Sequence, residues 1–418
     1  MKRTYERTHP WLKFELVLAS VDPRLWMQLG EVRSKCEHIA GVPLKPEVAR
    51  DFLRLYLARG VAATTAIEGN TLTPGQAARR LDGKPVEVPP SKAYQVQEID
   101  NVIEALNAIV AKELGEGSIR PITPKRVKEF NALVLKGLAL EPDVVPGQVR
   151  KHQVGVAQYR GAPAEDCEYL LDRMCAWLNG PSFDPSQDLR SLELPIAVIK
   201  AVLAHLYIEW IHPFADGNGR TGRLVEVQIL AMAGVPQVAC HLLSNHYNET
   251  RPEYYRQLQR ASESGGDVLP FLAYAIGGLV DGLTEQVGRV RLEQWEVAWR
   301  NFVYDTFASR KSHAAARARD LLLALSARPA PVPRKDLPGL SPAVALAYAK
   351  RTEKTLSRDL NELENLGLVV KEAAGYRARR ELILAFRPLR HDARSAAPGE
   401  PSQGDLLAGL GEPDPPTR

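Results

Sequence analysis

Residues 212–223 read His-Pro-Phe-Ala-Asp-Gly-Asn-Gly-Arg-Thr-Gly-Arg, and this run restricts the surrounding fold more than any other part of the chain. Pro213 lacks an amide hydrogen and ends the helix that carries His212. Gly217, Asn218 and Gly219 form a turn whose N–H groups can converge on an anion, and a helix beginning there aims its positive end at the same point. Arg220 and Arg223, three apart, share the first turn of that helix. Cations there oppose the helix dipole, at a cost of about 0.3–1 kcal/mol each, so an anion is expected between them, a polyphosphate rather than solvent. Gly217-x-Gly219-x-x-Gly222 also matches the dinucleotide fingerprint, which needs a buried strand before it. Residues 201–211, Ala-Val-Leu-Ala-His-Leu-Tyr-Ile-Glu-Trp-Ile, read instead as a buried helix, so the run specifies helix–loop–helix.

The 418 residues allow two or three domains, and 45% hydrophobic with 25% charged residues is the composition of an ordinary soluble protein. A net charge of +4 is too small for a general nucleic-acid or membrane binder. Cys36, Cys167, Cys175 and Cys240 form no CxxC pair or metal-type spacing and are expected reduced and structural. The first residues lack a signal-peptide core, and apolar runs such as 269–280 are too short to span a membrane, so no membrane partner and a cytoplasmic location are expected.

Helical periodicity dominates before residue 330. Residues 46–67 form a helix opened by Pro46 and ended by Glu68-Gly69-Asn70. Thr73-Pro74 opens another, 92–114 makes a third, and 121–138 and 166–179 are helical, with a short extended hairpin expected at Val154-Gly155-Val156-Ala157. Residues 311–388 differ: fifteen Lys/Arg stand against eight Asp/Glu, a surplus of seven. There, 352–366 is an amphipathic helix with leucines at 356, 360, 363 and 366; Gly367 stops it, and strands at 368–370 and 382–384 are expected around a turn at 373–376. From about 392, Pro, Gly, Ser and Asp dominate, the composition of a disordered tail.

Three chemistries compete for residues 205–223. His205, Glu209 and His212 share a helix face, but HExxH is absent and Pro213 cuts the helix, which disfavours zinc; a buried His205–Glu209 hydrogen bond is the plainer reading. A structural turn with incidental charges is the second. Phosphoryl or nucleotidyl transfer uses every polar member: His212 as general base, Asp216 as an oxygen ligand for Mg²⁺, the loop amides on a phosphate, and Arg220 and Arg223 on the remaining phosphates, with Phe214 buried beneath the loop.

Residues 212–223 resemble the HPFx(D/E)GNGRxxR signature of the Fic family without a departure. The resemblance continues through Pro146-Gly-Gln-Val-Arg150, through Val154–Ala157, which resembles the family's flap, and through 251–258. It implies a mainly α fold: a helical bundle with a small β-hairpin flap, here followed by a C-terminal winged helix-turn-helix. It also implies transfer of AMP from Mg·ATP to a Ser, Thr or Tyr hydroxyl of a target protein docked at the flap. By that resemblance His212 is the base, Asp216 holds Mg²⁺, and Gly217, Asn218, Gly219, Arg220, Thr221, Gly222 and Arg223 bind nucleotide. Tyr254 falls near the nucleoside, and Ser262 stands where relatives often carry an adenine-contacting Asn. Thr64-Thr-Ala-Ile-Glu68-Gly69 resembles the family's inhibitory motif: a carboxylate delivered to Arg223 takes the arginine that the γ-phosphate would claim. The same glutamate can also support removal of AMP, so a de-AMPylase is an alternative, as is a DNA-binding regulator whose Fic domain senses nucleotide.

The expected organisation is an N-terminal helical region (1–115) with the inhibitory helix at about 46–69, a catalytic core (116–285), a connecting helix (286–310), a winged helix (311–388) and a disordered tail (389–418). Arg351, Lys354 and Arg358 on one helix, and Arg377, Arg379 and Arg380 on the wing, suit DNA or a protein partner. Homodimerisation is left open.

Overall fold

The computed structural model describes residues 2–17, 21–113, 121–156, 159–184 and 187–384. Ala157 and the tail from 389 fall outside them. Two compact units are present, one ending at Gly288 and the other beginning at Arg289.

The first unit is helical because apolar residues recur at helical spacing, and several of its helices have a side-chain cap or a proline at the start. After a single turn, α1 (Tyr5–Thr8), come α2 (Pro23–Gly41), opened by the Asp22 carboxylate accepting Arg24 N–H at 2.7 Å, and α3 (Pro46–Ala66). In α4 (Pro74–Leu81) Thr73 and Gln76 form a reciprocal capping box. Next are α5 (Ala93–Glu113) and α6 (Pro124–Val134), the latter capped by Thr123. A minimal antiparallel hairpin, β1 (Gly155–Val156) with β2 (Tyr159–Arg160), precedes α7 (Ala164–Leu178). The core lies around α8 (Glu193–Ile211), buried along almost its whole length and packed most extensively on α9 (Asn218–Met232). Each fully buried Leu, Ile or Val there stabilises the unit by about 1.5–3 kcal/mol. Residues 190–211 are long and apolar enough to cross a membrane by length and composition, but 78% of that window is buried inside the fold. α10 (Leu242–Glu249), α11 (Arg251–Glu263) and the start of α12 (Leu269–Phe307) complete the layer. All four cysteines are free and buried.

The second unit has its own core, in which Trp299 and Val303 of α12 pack with Leu321, Leu322 and Leu325 of α13 (His313–Ser326). A single bridge residue, Val332, follows, then α14 (Pro342–Tyr348) and α15 (Glu353–Asn365). Leu356, Leu360 and Leu363 turn inward as their spacing requires. β3 (Val369–Glu372) pairs with β4 (Gly375–Ala378), and Val332 joins the far edge through two backbone hydrogen bonds to Tyr376 at 2.9 and 2.8 Å. This hairpin is tighter than the sequence suggests. Only Ala373 and Ala374 separate the strands, so β4 falls where a turn was expected, and 380–383 form a 3-10 turn rather than a strand. The reason is Gly375: a Cβ there would lie 2.2 Å from the Val332 carbonyl oxygen, and only glycine lets the third strand approach.

Candidate active site

The loop between α8 and α9 holds the site. α8 ends on His212, whose φ of 50° is one of two positive values among described non-glycine residues. That left-handed turn swings its ring off the helix axis, a strained conformation of the kind that collects at functional positions. Burial pushes the imidazole down to about 4, against a hydrogen bond to the Glu209 backbone carbonyl that favours the proton. The ring is therefore neutral at physiological pH and able to accept a proton.

Three groups fix the loop. The Asn218 amide closes it by accepting Phe214 N–H at 2.9 Å and donating to the Phe214 carbonyl at 2.8 Å, while the Phe214 ring is buried. Asn131 of α6 donates to the Asp216 carbonyl at 2.9 Å and accepts Gly147 N–H at 2.9 Å. Arg150, buried, donates to the carbonyls of His212, His152 and Ala162, tying the base of the β1–β2 hairpin to the histidine. Arg150 entered the sequence reading only as part of a resemblance, and Asn131 not at all; no local pattern marks a helix asparagine as a loop anchor.

Gly217 (φ +78°) makes the turn into α9. Gly219, one residue into the helix, faces α3 so closely that a Cβ would sit 2.2 Å from Glu68 Oε1. Thr221 spends its hydroxyl on the Gly217 carbonyl at 2.7 Å, and Gly222 lies against His205, where a Cβ would come within 2.8 Å of Nδ1. These two pack α9 onto its neighbours. Backbone N–H groups at the start of α9 are what the loop offers an anion, the Asn218 side chain being consumed within it.

Both arginines are held by carboxylates of the chain itself. Arg223, only 1% exposed, donates from Nε to Thr64 Oγ1 at 2.8 Å, and from Nη2 to the Thr64 carbonyl at 2.9 Å and Glu68 Oε1 at 2.6 Å. Burial would raise the Glu68 carboxyl, but the Arg223 guanidinium outweighs it and holds the group below its ordinary value. Gly69 (φ +99°) ends α3 beside it. Arg220 donates from Nη1 to Glu98 Oε1 at 2.8 Å and from Nη2 to Asp216 Oδ1 at 3.4 Å. Glu98, on α5, was not foreseen, because nothing in its own stretch of sequence pairs it with an arginine 122 positions away. Its other oxygen accepts from Asn70 at 2.8 Å, and Asn70 also donates to the Gln95 carbonyl at 2.9 Å. Asn70 thus pins the chain just after Glu68 onto α5.

Asp216 keeps 48% of its side chain exposed, with Oδ1 accepting Gly217 N–H. A single accessible carboxylate fits Mg²⁺, which takes one or two protein carboxylates and the rest from phosphate and water. No cluster of three or more His, Cys, Asp or Glu that could hold a metal occurs among the described residues. His205 bonds to the Tyr254 hydroxyl at 2.9 Å rather than to Glu209. Tyr254 and Ser262 both lie on the buried face of α11, the Ser262 hydroxyl donating to the Gln259 carbonyl at 2.8 Å. Tyr254 sits in the layer below Arg223 with its hydroxyl engaged. Val154 accepts Gly161 N–H at 3.1 Å, Gly155 and Val156 form β1, and Ala157 lies outside the described residues.

Residues 121–230, which contain α6 through the loop and most of α9, match the Fic/DOC family model. The chain contains a Fic/DOC family domain. It is 30% identical over 265 residues to protein adenylyltransferase fic-1 of Caenorhabditis elegans, an alignment spanning 62% of this chain and 46% of that protein. It is 29% identical over 299 residues to the Caenorhabditis briggsae protein of the same name, spanning 70% and 51%. The chain thus spans about half the length of the curated relatives it matches. Among solved structures, a Fic family protein from Desulfovibrio desulfuricans G20 superposes with a TM-score of 0.51 at 22% identity, covering 86% of this chain and 97% of that one. Residues 134–508 of C. elegans Fic-1 give 0.51 at 25%, covering 64% and 73%.

Proposed function

We propose that this protein is a protein adenylyltransferase held inactive by its own α3. The observation that carries the reading is the lodging of Glu68 on Arg223, within a loop that also presents His212, Asp216 and the free amides of α9. In the reaction, a Ser, Thr or Tyr hydroxyl of a target segment laid along β1 gives its proton to His212. Its oxygen attacks the α-phosphorus of ATP, the bond from that phosphorus to the bridging oxygen breaks, and pyrophosphate leaves. Amides at the start of α9 receive the α-phosphate. Arg220 and Arg223 take the β- and γ-phosphates once their carboxylates release them, with charge-assisted bonds of roughly 1.5–3 kcal/mol each. Asp216 would hold Mg²⁺, which when bound would supply positive charge against the pyrophosphate. Tyr254 and Ser262, assigned to the nucleoside end by resemblance, are buried on α11 and would act there only as support for the site. While Glu68 holds Arg223 the γ-phosphate is displaced, and a misplacement near 1 Å at the reacting centre costs about 100-fold.

Glu68 keeps 33% of its side chain exposed, which suits a carboxylate that orients water, so removal of AMP from a modified target is the second reading. The second unit we read as a winged helix, on the order α13, Val332 strand, α14, α15, β3–β4. The chemistry is tested by incubating Glu68→Gly with ATP labelled at the α- or the γ-phosphate. Protein-bound label from the α-position alone, lost in Glu68→Gly/His212→Ala, is expected. Label from the γ-position would make the enzyme a kinase and overturn the reading.

A further inference from the structure

The positive surplus of residues 311–388 is not spread evenly over the second unit. On the β3–β4 hairpin, Arg377 is paired with Glu372 at 2.8 Å and Glu381 at 3.0 Å, and Arg379 lies 3.6 Å from Glu381. Arg380 pairs with Glu296 at 2.8 Å. The wing arginines are thus neutralised within the unit. Several cations of this unit have no ion-pair partner among the described residues, Lys371 of β3 included, and four of them lie at α15: Arg351 just before it, Lys354 and Arg358 one turn apart on it, and Arg334, which reaches the adjacent Ser357 hydroxyl at 2.6 Å.

The inner face of α15 is fixed. Asp359 accepts from Arg317 Nε at 2.7 Å and Nη2 at 2.9 Å and from the Tyr348 hydroxyl at 2.6 Å, locking α15 and α14 to α13. With that rotation set, Lys354, Arg358, Asn361 and Asn365 form one exposed stripe at i, i+4, i+7 and i+11. The stripe carries cations for phosphates and, further along, amides of the type that read adenine edges. No large apolar side chain of α15 is exposed, Leu346 of α14 being the exposed one nearest in sequence, so the stripe itself offers nothing to insert into a membrane. A helix about 10–12 Å across fits the major groove of B-DNA, about 12 Å wide, whereas the RNA major groove is too narrow.

Resting on the winged-helix reading, we infer that α15 binds duplex DNA through this stripe and that the wing arginines contribute little. The test uses the full-length protein and a labelled mixed-sequence duplex two helical turns long, titrated between about 50 and 200 mM salt. Wild type is expected to bind with a Kd of about 10⁻⁶–10⁻⁴ M, weakening steeply with salt. Arg351→Ala/Lys354→Ala/Arg358→Ala should bind at least about tenfold more weakly and flatten the log–log salt slope by roughly 2–3, near 0.9 per lost phosphate contact. Its melting temperature should match that of the parent, and its label transfer from ATP, measured in the Glu68→Gly background, should match that of Glu68→Gly alone, so loss of DNA binding and failure of the transfer chemistry are read separately. Arg377→Gln/Arg379→Gln should bind as wild type does. No duplex binding by wild type at low salt, equal loss in the wing variant, or tighter binding to single-stranded RNA or polyglutamate than to duplex would each overturn the inference.

Discussion

His212 and Glu226 are two titratable groups whose burial has opposite consequences. Burial lowers His212 to about 4, so the acid limb of kcat/KM should fall well below the ordinary imidazole value of about 6.5. A pH–rate profile on Glu68→Gly measures it; a limb at the ordinary value would remove His212 from the role of buried neutral base. Glu226 is fully buried, accepts the Tyr247 hydroxyl at 3.0 Å, and is raised by burial to about 8. A carboxyl whose folded value lies above its unfolded value binds more protons in the folded state. Its contribution is therefore complete below about pH 4.5 and is lost as pH rises toward 8. Wild type should lose stability relative to Glu226→Gln as pH rises from 5 to 8, as read from the difference in their denaturant midpoints. The helix–loop–helix of residues 212–223 was legible from sequence because its residues are contiguous and serve one geometry. Glu98, Asn131 and Glu226 were not: each acts through a partner on another helix, and an isolated polar residue on an amphipathic helix reads as a solvated face.

Among elements, α3 is the one to which the proposed inhibition assigns control. Its last turn is held from several sides: Thr64 and Glu68 on Arg223, Arg251 of α11 on the Ala66 carbonyl at 3.2 Å, and Asn70 on Glu98 and Gln95. Asn70→Ala removes one of these ties without touching His212, Asp216 or either arginine. It leaves a Glu98 oxygen without its donor, a loss of about 1–3 kcal/mol. Stability should fall while AMP transfer rises several-fold. A structural lesion alone would lower both, so opposite signs in a melt and a labelling assay separate the two. The helix boundaries of α3, α4 and α15 were readable because Pro46, Thr73-Pro74 and Gly367 punctuate them. The β4 strand was misplaced by sequence because its register depends on the approach of Val332, some forty residues earlier, which no local pattern encodes.

At the scale of the whole molecule, the chain divides into two units with separate cores. We propose nucleotide transfer for the first and DNA contact at the exposed stripe of α15 for the second. In this proposal the Glu68–Arg223 pair, at 2.6 Å, keeps the first unit silent. The most direct measurement is the rate of label incorporation from α-³²P-ATP by wild type and by Glu68→Gly at the same ATP concentration. An increase of about 100-fold in the variant is the expected result, the size of a misplaced phosphate restored to line. Equal rates, with both proteins folded and both binding ATP, would contradict the claim and leave Glu68 a structural partner of Arg223.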